Sequence, residues 1–508
     1  MTHPLEETLF DVVIVGSGFG GGVMAYALSH AGLRTLLVER GDWARRDDDD
    51  WSGRAVMLEG RYHGDVPTLV QQGESDVVTS TLSNEVVGGG SVFFGGAALR
   101  MRATDFAEWP IGYDVLEPHY DAAERLLEVH GHMGDDPCEP ARARDYPFSS
   151  PALTAPALRI YRAAQAIGFR PFRLPMALNH SGPRAPKCVQ CGTCDGFPCK
   201  ISAKNDVTTT ALASADNRFL TIAPGLLAAR LRESQGRIQS LEVIERRSAA
   251  RLTLRGRLFV VSCGAIGSPA LLLRSGLDRY DQSGLLGRRL MRHCNGMVGY
   301  VFPFRTNPTG LNHKQVCISD LYESRRALDG RAVGVLQDLC LPPLEVVRSK
   351  VWPALAWAAG LGAAHLQTLI CIAEDEPCHD NRVTLDAHTD RNGLPLTSVR
   401  HRYTEADHAR RDLLLDAAGR VLRRAGGLAG KVSLIDSFSH AVGSVHFGSA
   451  PRRAPLDVDC RMHGVHNLFV VDGSFMPTSA GVNPSLTISA NALRVAARIR
   501  EDFSALRL

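Results

Sequence analysis

The feature that most constrains this chain is a glycine triplet, Gly16-x-Gly18-x-x-Gly21, which begins where an apolar run ends. Phe10 to Val15 is apolar apart from Asp11, the pattern of a parallel strand covered on both faces. An alanine-containing segment from Val23 to about Ala31 reads as a helix with Gly32 as its C-cap. Arg34 to Val38 reads as a second strand, ending at Glu39. Each glycine has its own physical reason. The first permits a tight turn, the second lets backbone approach a pyrophosphate, and the third lets the helix pack against the sheet. The helix N-terminus then faces the anion, and the acid accepts a hydrogen bond from a ribose hydroxyl. Gly16, Gly18, Gly21 and Glu39 are therefore the expected dinucleotide site. The motif alone does not separate FAD from NAD; its place near the start of a 508-residue chain favours FAD.

A chain of this length exceeds one hydrophobic core, so more than one domain is expected. Its formal net charge of +3 gives no support for a nucleic-acid or membrane-surface partner. The opening MTHPLEETLFDVVIVG lacks a basic region followed by an apolar core and a cleavage site. No secretory leader and a cytoplasmic location are the expectation. The most apolar stretch, Val351 to about Ile372, is interrupted by Pro353, His365 and Gln367. It reads as a buried helix or pocket wall rather than a membrane span.

Further along, residues 85–100 form a second glycine-rich stretch, and residues 118–131 read as a helix ending at Gly131. Residues 135–155, rich in Asp, Pro and Arg, read as a surface loop. Leu258 to Cys263 reads as a third buried strand running into GAIGSPALLLRSGL. Between 296 and 438 the pattern is mixed, with a strand at Asn381 to Leu385 and a basic helix from about Glu405 to Arg424. A buried strand at Asn467 to Val471 and a helix from about Pro484 to Phe503 close the chain. There is no internal repeat.

Three further segments carry a resemblance. Residues 87–102, VGGGSVFFGGAALRMR, are followed by Asp105, Phe106 and Trp109; residues 264–277 read GAIGSPALLLRSGL; residues 440–494 begin HAVGSVHFG and contain NLFVVDGSFMPTSAGVNPSLTISANALR. Together with the N-terminal motif, and in this order, they resemble the glucose–methanol–choline (GMC) flavoprotein family. The resemblance implies an α/β fold: a Rossmann-like FAD-binding domain plus a substrate domain with an antiparallel sheet. The expected division is 1–295 for the FAD domain, 296–438 for the substrate domain, and 439–508 for a return to the FAD domain. It implies that Gly89, Gly90, Ser91, Gly95, Gly264, Asp472, Gly473, Pro484 and Thr487 border the cofactor. Asp472 and Gly473 also end a buried strand, where ligands bind in open α/β sheets.

The same resemblance implies that His440 faces the reactive edge of the flavin with Asn483 beside it. Alcohol oxidation needs a base for the hydroxyl proton, and an imidazole near its unperturbed pKa suits that task. The Asn483 carboxamide can hold and polarise the substrate oxygen. His446 is ranked as structural. Three positions depart from the pattern. Asp278 stands where glycine is usual, Phe94 stands where an asparagine commonly touches the flavin ring, and no histidine matches the one that tethers flavin covalently in some members. Non-covalent FAD is the expectation. The implied reaction is oxidation of a CH–OH group to a carbonyl, with oxygen or a redox partner as acceptor. The segment AEDEPCHDNRVTLD at 373–386 is similar to one in sugar- and alcohol-acting members, so a sugar, glycoside, polyol or amino-sugar substrate is favoured. A sterol or other apolar-alcohol oxidase and a non-catalytic flavin electron-transfer subunit are the alternatives.

Residues 188–199 carry Cys188, Cys191, Cys194 and Cys199 in a C-x2-C-x2-C-x4-C run. In a chain without a secretory leader such thiols read as reduced or metal-bound. The spacing resembles a ferredoxin run with one extra residue, so an iron–sulfur cluster is one reading and a four-thiolate zinc site another. A cysteine-rich turn that binds no metal and packs over the FAD, as in other members, is the leading one. A cluster would pass single electrons to a cytochrome or quinone.

Overall fold

The computed structural model describes residues 3–73, 77–311, 314–339, 341, 343–349 and 356–506. Its first layer grows from Leu9–Val15, in which Val12, Val13, Ile14 and Val15 are all buried. Continuous burial requires cover on both faces, and this strand lies in the middle of a parallel sheet. The order is Leu220–Ala223, Thr35–Val38, Leu9–Val15, Arg251–Val261 and Leu468–Val470. Val15 sits opposite Val38 on one side and Val261 on the other. Helices Phe19–His30 and Tyr113–Leu126 pack against Ser485–Leu506 over this sheet.

Arg251–Val261 serves two sheets, and its sequence shows why. Leu252 and Leu254 are buried between exposed neighbours, and this half pairs antiparallel with Arg237–Glu245, which pairs with Leu226–Ser234. Leu258 to Val261 are buried without interruption, and this half joins the parallel sheet. A period of two marks one wet face, and a continuous run marks none.

The second layer is a six-stranded antiparallel sheet in the order Ala429–Leu434, Gly296–Val301, Leu366–Ala373, Gly334–Leu339, Val316–Ile318 and Phe172–Arg173. Its last edge strand thus comes from the N-terminal half of the chain. Helix Glu405–Arg424 lies on it, started by a reciprocal cap between Thr404 and Asp407. A third sheet joins Arg382–Thr389 and Pro395–His401 to Thr68–Gln72 and Val78–Thr81.

Two expectations need correction. The helix expected over 118–131 spans Tyr113–Leu126, and His130–Gly131 pairs with Phe148–Ser149. Pro118, a helix-start signal, lies inside the helix. Of the apolar stretch from Val351, residues 351–355 lie outside the described residues. The remainder is helix Ala356–Ala363, with Trp357 67% exposed, followed by a strand in the middle of the second sheet. Among the described residues no helix is long and apolar enough to cross a membrane.

Candidate active site

The glycine motif divides by physical role as expected. Gly16 has φ of +95°, and a Cβ there would lie 2.3 Å from the Ser262 carbonyl oxygen. A Cβ on Gly21 would lie 1.8 Å from the Gly16 carbonyl oxygen. Both positions exclude a side chain because protein backbone already occupies the space. At Gly18, Gly90 and Gly264 a Cβ would meet no protein atom within 4 Å. Gly89 abuts Gly18, its would-be Cβ 3.3 Å from the Gly18 Cα, and Cys263 backs onto Gly16. Three glycine-bearing turns therefore meet beyond the C-terminal ends of the parallel strands, with bare backbone facing outward. That is the form a dinucleotide cradle requires.

Glu39 is nearly buried. Its carboxylate accepts from the Ser17 hydroxyl at 2.7 Å and from the Ser17 and Gly41 amides at 3.1 and 3.0 Å. Asp472 accepts from the Ser474 amide at 2.8 Å and the Ser268 hydroxyl at 2.5 Å, which ties it to helix Gly264–Arg274. Burial pushes its carboxyl above the usual range. Other expected cofactor neighbours have protein partners. Ser91 turns inward, donating to the Gly88 carbonyl at 2.6 Å. A Cβ on Gly95 would lie 2.0 Å from Asp195 Oδ1, so Gly95 lies against the cysteine turn. The Gly473 carbonyl accepts from the Gly443 amide at 3.0 Å and lies under the His440 segment. Pro484 is buried directly before helix Ser485–Leu506, and Thr487 in that helix is 2.7 Å from the Tyr120 hydroxyl.

His440 and Asn483 meet, with Asn483 Nδ2 3.4 Å from His440 Nε2. Gln337, on the second sheet, donates from Nε2 to Asn483 Oδ1 at 2.8 Å and so orients the amide toward the imidazole. His293 joins them, its Nδ1 3.0 Å from His440 Nδ1 and its ring perpendicular. Burial, then His293 and Lys314, hold the His440 imidazole well below its ordinary pKa. The expectation of an unperturbed value is corrected: burial favours the neutral ring, which keeps a nitrogen lone pair for a proton while making it a weaker base than a free imidazole. His446 lies apart, 3.3 Å from both the Arg453 carbonyl and an Arg289 nitrogen, with its pKa lowered to about 4, mainly by burial. His293 and Gln337 escape sequence reasoning. No periodicity or fixed spacing links either to His440.

The cysteine turn is held in a different way. Among the described residues no three or more His, Cys, Asp or Glu side chains are grouped to hold a metal, so the iron–sulfur and zinc readings of Cys188, Cys191, Cys194 and Cys199 find no support there. The cation that organises the turn is Lys204, buried, whose Nζ donates to the carbonyls of Phe94, Cys194 and Phe197 at 2.9, 3.0 and 2.6 Å. Cys194 is buried in the core. Cys191 Sγ is 3.1 Å from the Thr193 hydroxyl, and Cys188 Sγ accepts from the Gln190 amide at 3.4 Å. Burial pushes the Cys188 thiol up to about 11.

Two models of GMC oxidoreductase sequences match residues 11–295 and 377–492. The chain belongs to the GMC oxidoreductase family. It is 31% identical to paromamine 6'-oxidase of Streptomyces fradiae, over 98% of this chain and 92% of that one. It is equally 31% identical to 6'''-hydroxyparomomycin C oxidase of Streptomyces lividus, over 99% and 93%. Among solved structures, pyridoxine 4-oxidase from Mesorbium loti superposes with a TM-score of 0.71 at 20% identity, over 97% of this chain and 99% of that one. Formate oxidase of Aspergillus oryzae gives 0.70 at 15% identity, over 99% and 100%. This GMC oxidoreductase has the family's α/β architecture and is an FAD-dependent enzyme acting on CH–OH donors. The cradle of Gly16, Gly18, Gly21, Glu39, Gly90 and Gly264 fits that cofactor.

Proposed function

We propose that this enzyme oxidises a sugar-like alcohol, amino-sugars included, with His440 as the base and Asn483 as the group that holds the substrate oxygen. The observation that carries the roles is the meeting of His440 Nε2 and Asn483 Nδ2. A hydroxyl placed between them would give its proton to the neutral imidazole and accept a hydrogen bond from the amide. Bound FAD supplies the hydride acceptor. Gln337 keeps the amide nitrogen aimed at the site, so Asn483 does not compete for the proton. Because Gln337 comes from the antiparallel sheet, we assign that sheet, mainly residues 296–438, to the substrate side. Residues 439–508 return the catalytic pair to the FAD domain of residues 1–295. The oxidase names of the two Streptomyces relatives support the substrate class. They also make oxygen the first acceptor to assay, ahead of a separate redox partner.

Anaerobic flavin bleaching by a panel of amino-sugars, glycosides, polyols and sterols tests the reading. His440→Ala should retain FAD and lose ~10²-fold or more in the reduction rate. Near-normal reduction by that variant would remove His440 from the mechanism, and bleaching by sterols alone would replace the substrate class.

A further inference from the structure

We propose that His293 is a positioning residue that fixes the tautomer of His440, and so decides that Nε2 is the nitrogen presented to the substrate. The proposal rests on His440 being the base. Nε2 of His293 lies 3.1 Å from the Ser479 carbonyl oxygen and 3.0 Å from that of Ala480. Carbonyl oxygens only accept, so this nitrogen carries the proton. A neutral His293 then has a bare Nδ1. That bare nitrogen is 3.0 Å from His440 Nδ1, so the hydrogen between the rings belongs to His440. A neutral His440 protonated on Nδ1 has its lone pair on Nε2, the nitrogen beside Asn483. With both rings neutral, the chain of donors and acceptors has one solution.

Neutrality follows from the setting. His293 is buried, and burial holds its pKa below the ordinary value. If His293 were protonated, it would donate from Nδ1 to His440 and move the remaining His440 proton to Nε2, where it would block the base. The lock is also held stiffly. His293 has φ of +61° and Ala480 +54°, a region that residues other than glycine enter only under constraint. Asp375 supplies that constraint, accepting from the amides of Arg292 and His293 at 2.8 and 3.1 Å and from the Ser479 hydroxyl at 2.7 Å. The Tyr403 hydroxyl donates to the His293 carbonyl at 2.8 Å. One carboxylate thus joins the segment carrying the lock to the segment carrying its acceptors. A histidine merely filling the core would need none of this alignment with His440.

The test uses FAD-loaded enzyme and four variants. His293→Asn keeps an acceptor near the Nδ1 position, and its anaerobic reduction rate should stay within a few-fold of wild type. His293→Phe removes the acceptor and should lose about tenfold or more, with FAD content retained. His440→Ala serves as the reference for losing the base. Nitrogen-15 spectra of histidine-labelled wild type, assigned by difference from a His440→Asn sample, read the tautomer directly. Nδ1 of His440 should be protonated and Nε2 bare. A protonated Nε2 in wild type would overturn the lock. So would a wild-type reduction rate in His293→Phe while His440→Ala is inactive. Normal reduction by His440→Ala would instead sink the base assignment, and the spectrum would still decide the tautomer. If His293→Phe does not fold, the wild-type spectrum and the Asn variant carry the decision.

Discussion

Alanine at Gly18 and alanine at Gly21 should fail for opposite reasons, and the contrast tests the cofactor cradle. Gly21 lies inside helix Phe19–His30, where alanine is intrinsically better than glycine by about 0.8–1 kcal/mol. The added Cβ would lie 1.8 Å from the Gly16 carbonyl oxygen, so helix and turn must part by more than ~1 Å to reach ordinary contact. Overpacking of that kind costs about 1–3 kcal/mol, and at so close an approach to backbone the upper part of that range applies, so after the helix gain a net loss of up to about 2 kcal/mol is left. The apoprotein should melt a few degrees lower. At Gly18 the backbone has φ of −65° and ψ of −164°, extended geometry that any residue adopts, and the Cβ meets no protein atom. The protein-side cost is the weaker N-cap, about 0.5–1 kcal/mol. The methyl group would instead stand where the pyrophosphate approaches, weakening FAD by about tenfold or more. Through linkage, each tenfold removes about 1.4 kcal/mol of the stabilisation that excess FAD confers. Thermal unfolding with and without FAD, alongside a flavin-fluorescence titration, separates the two effects. Wild-type FAD affinity in Gly18→Ala would refute the cradle, and an unchanged apoprotein melting temperature in Gly21→Ala would refute the packing argument.

Two further outcomes follow from buried charge. Asp338 is buried, and burial pushes its carboxyl up to about 6 although the Gln315 and Val316 amides donate to it at 2.7 and 2.8 Å. A folded pKa above the unfolded 3.8 means that the contribution of Asp338 to stability is highest in acid and falls as pH rises from about 4 through 6. The fall should be roughly 2–3 kcal/mol and should flatten in Asp338→Asn, as read by unfolding across that pH range; identical pH profiles would refute it. Lys204→Met leaves three carbonyls without their shared donor and should cost on the order of 3 kcal/mol while loosening the turn that carries Cys194. Unfolding and limited proteolysis of the purified variant would show it, and wild-type behaviour in both would remove Lys204 as the clamp.

What could be read from the sequence was whatever local order specifies. The strand at Phe10–Val15, the glycine turn and Glu39 lie within thirty residues of one another, and each obeys a rule about its neighbours. Helix Glu405–Arg424 begins where expected because Thr404 and Asp407 cap its N-terminus. Arg251–Val261 was legible only in its second half. Its first half alternates, with arginines at 251, 255 and 257, and reads as surface until its antiparallel pairing with Arg237–Glu245 is known. The His440–Asn483 meeting came from resemblance alone, for nothing local brings residues 43 apart together. His293 had neither a motif nor a neighbour to reveal it. Its role exists only because three separate segments converge, and tertiary chemistry of that kind leaves no periodic trace.

The cysteine turn gives the sharpest contrast between a spacing and a structure. A four-thiolate metal site binds as a unit, so serine at any of its four positions would remove the metal and destabilise the protein alike. The structure assigns the four thiols unequal duties. Cys194 is 8% exposed and packed in the main core, so Cys194→Ser buries a hydroxyl and should cost about 1–3 kcal/mol. Cys191 is half-buried with Thr193 as a local partner, and Cys188 accepts a backbone amide that a serine oxygen accepts equally well. Both serine variants should stay within about 0.5 kcal/mol of wild type. Cys199 contributes its carbonyl, which accepts from Arg46 at 2.8 Å, and a backbone carbonyl survives any side-chain change. The expected series is therefore one damaging substitution and three mild ones, with flavin content unchanged in the mild ones. Equal losses at all four positions, accompanied by stoichiometric iron or zinc in the wild type that each variant lacks, would show that the thiols act together and that Lys204 is not the cation around which this turn is built.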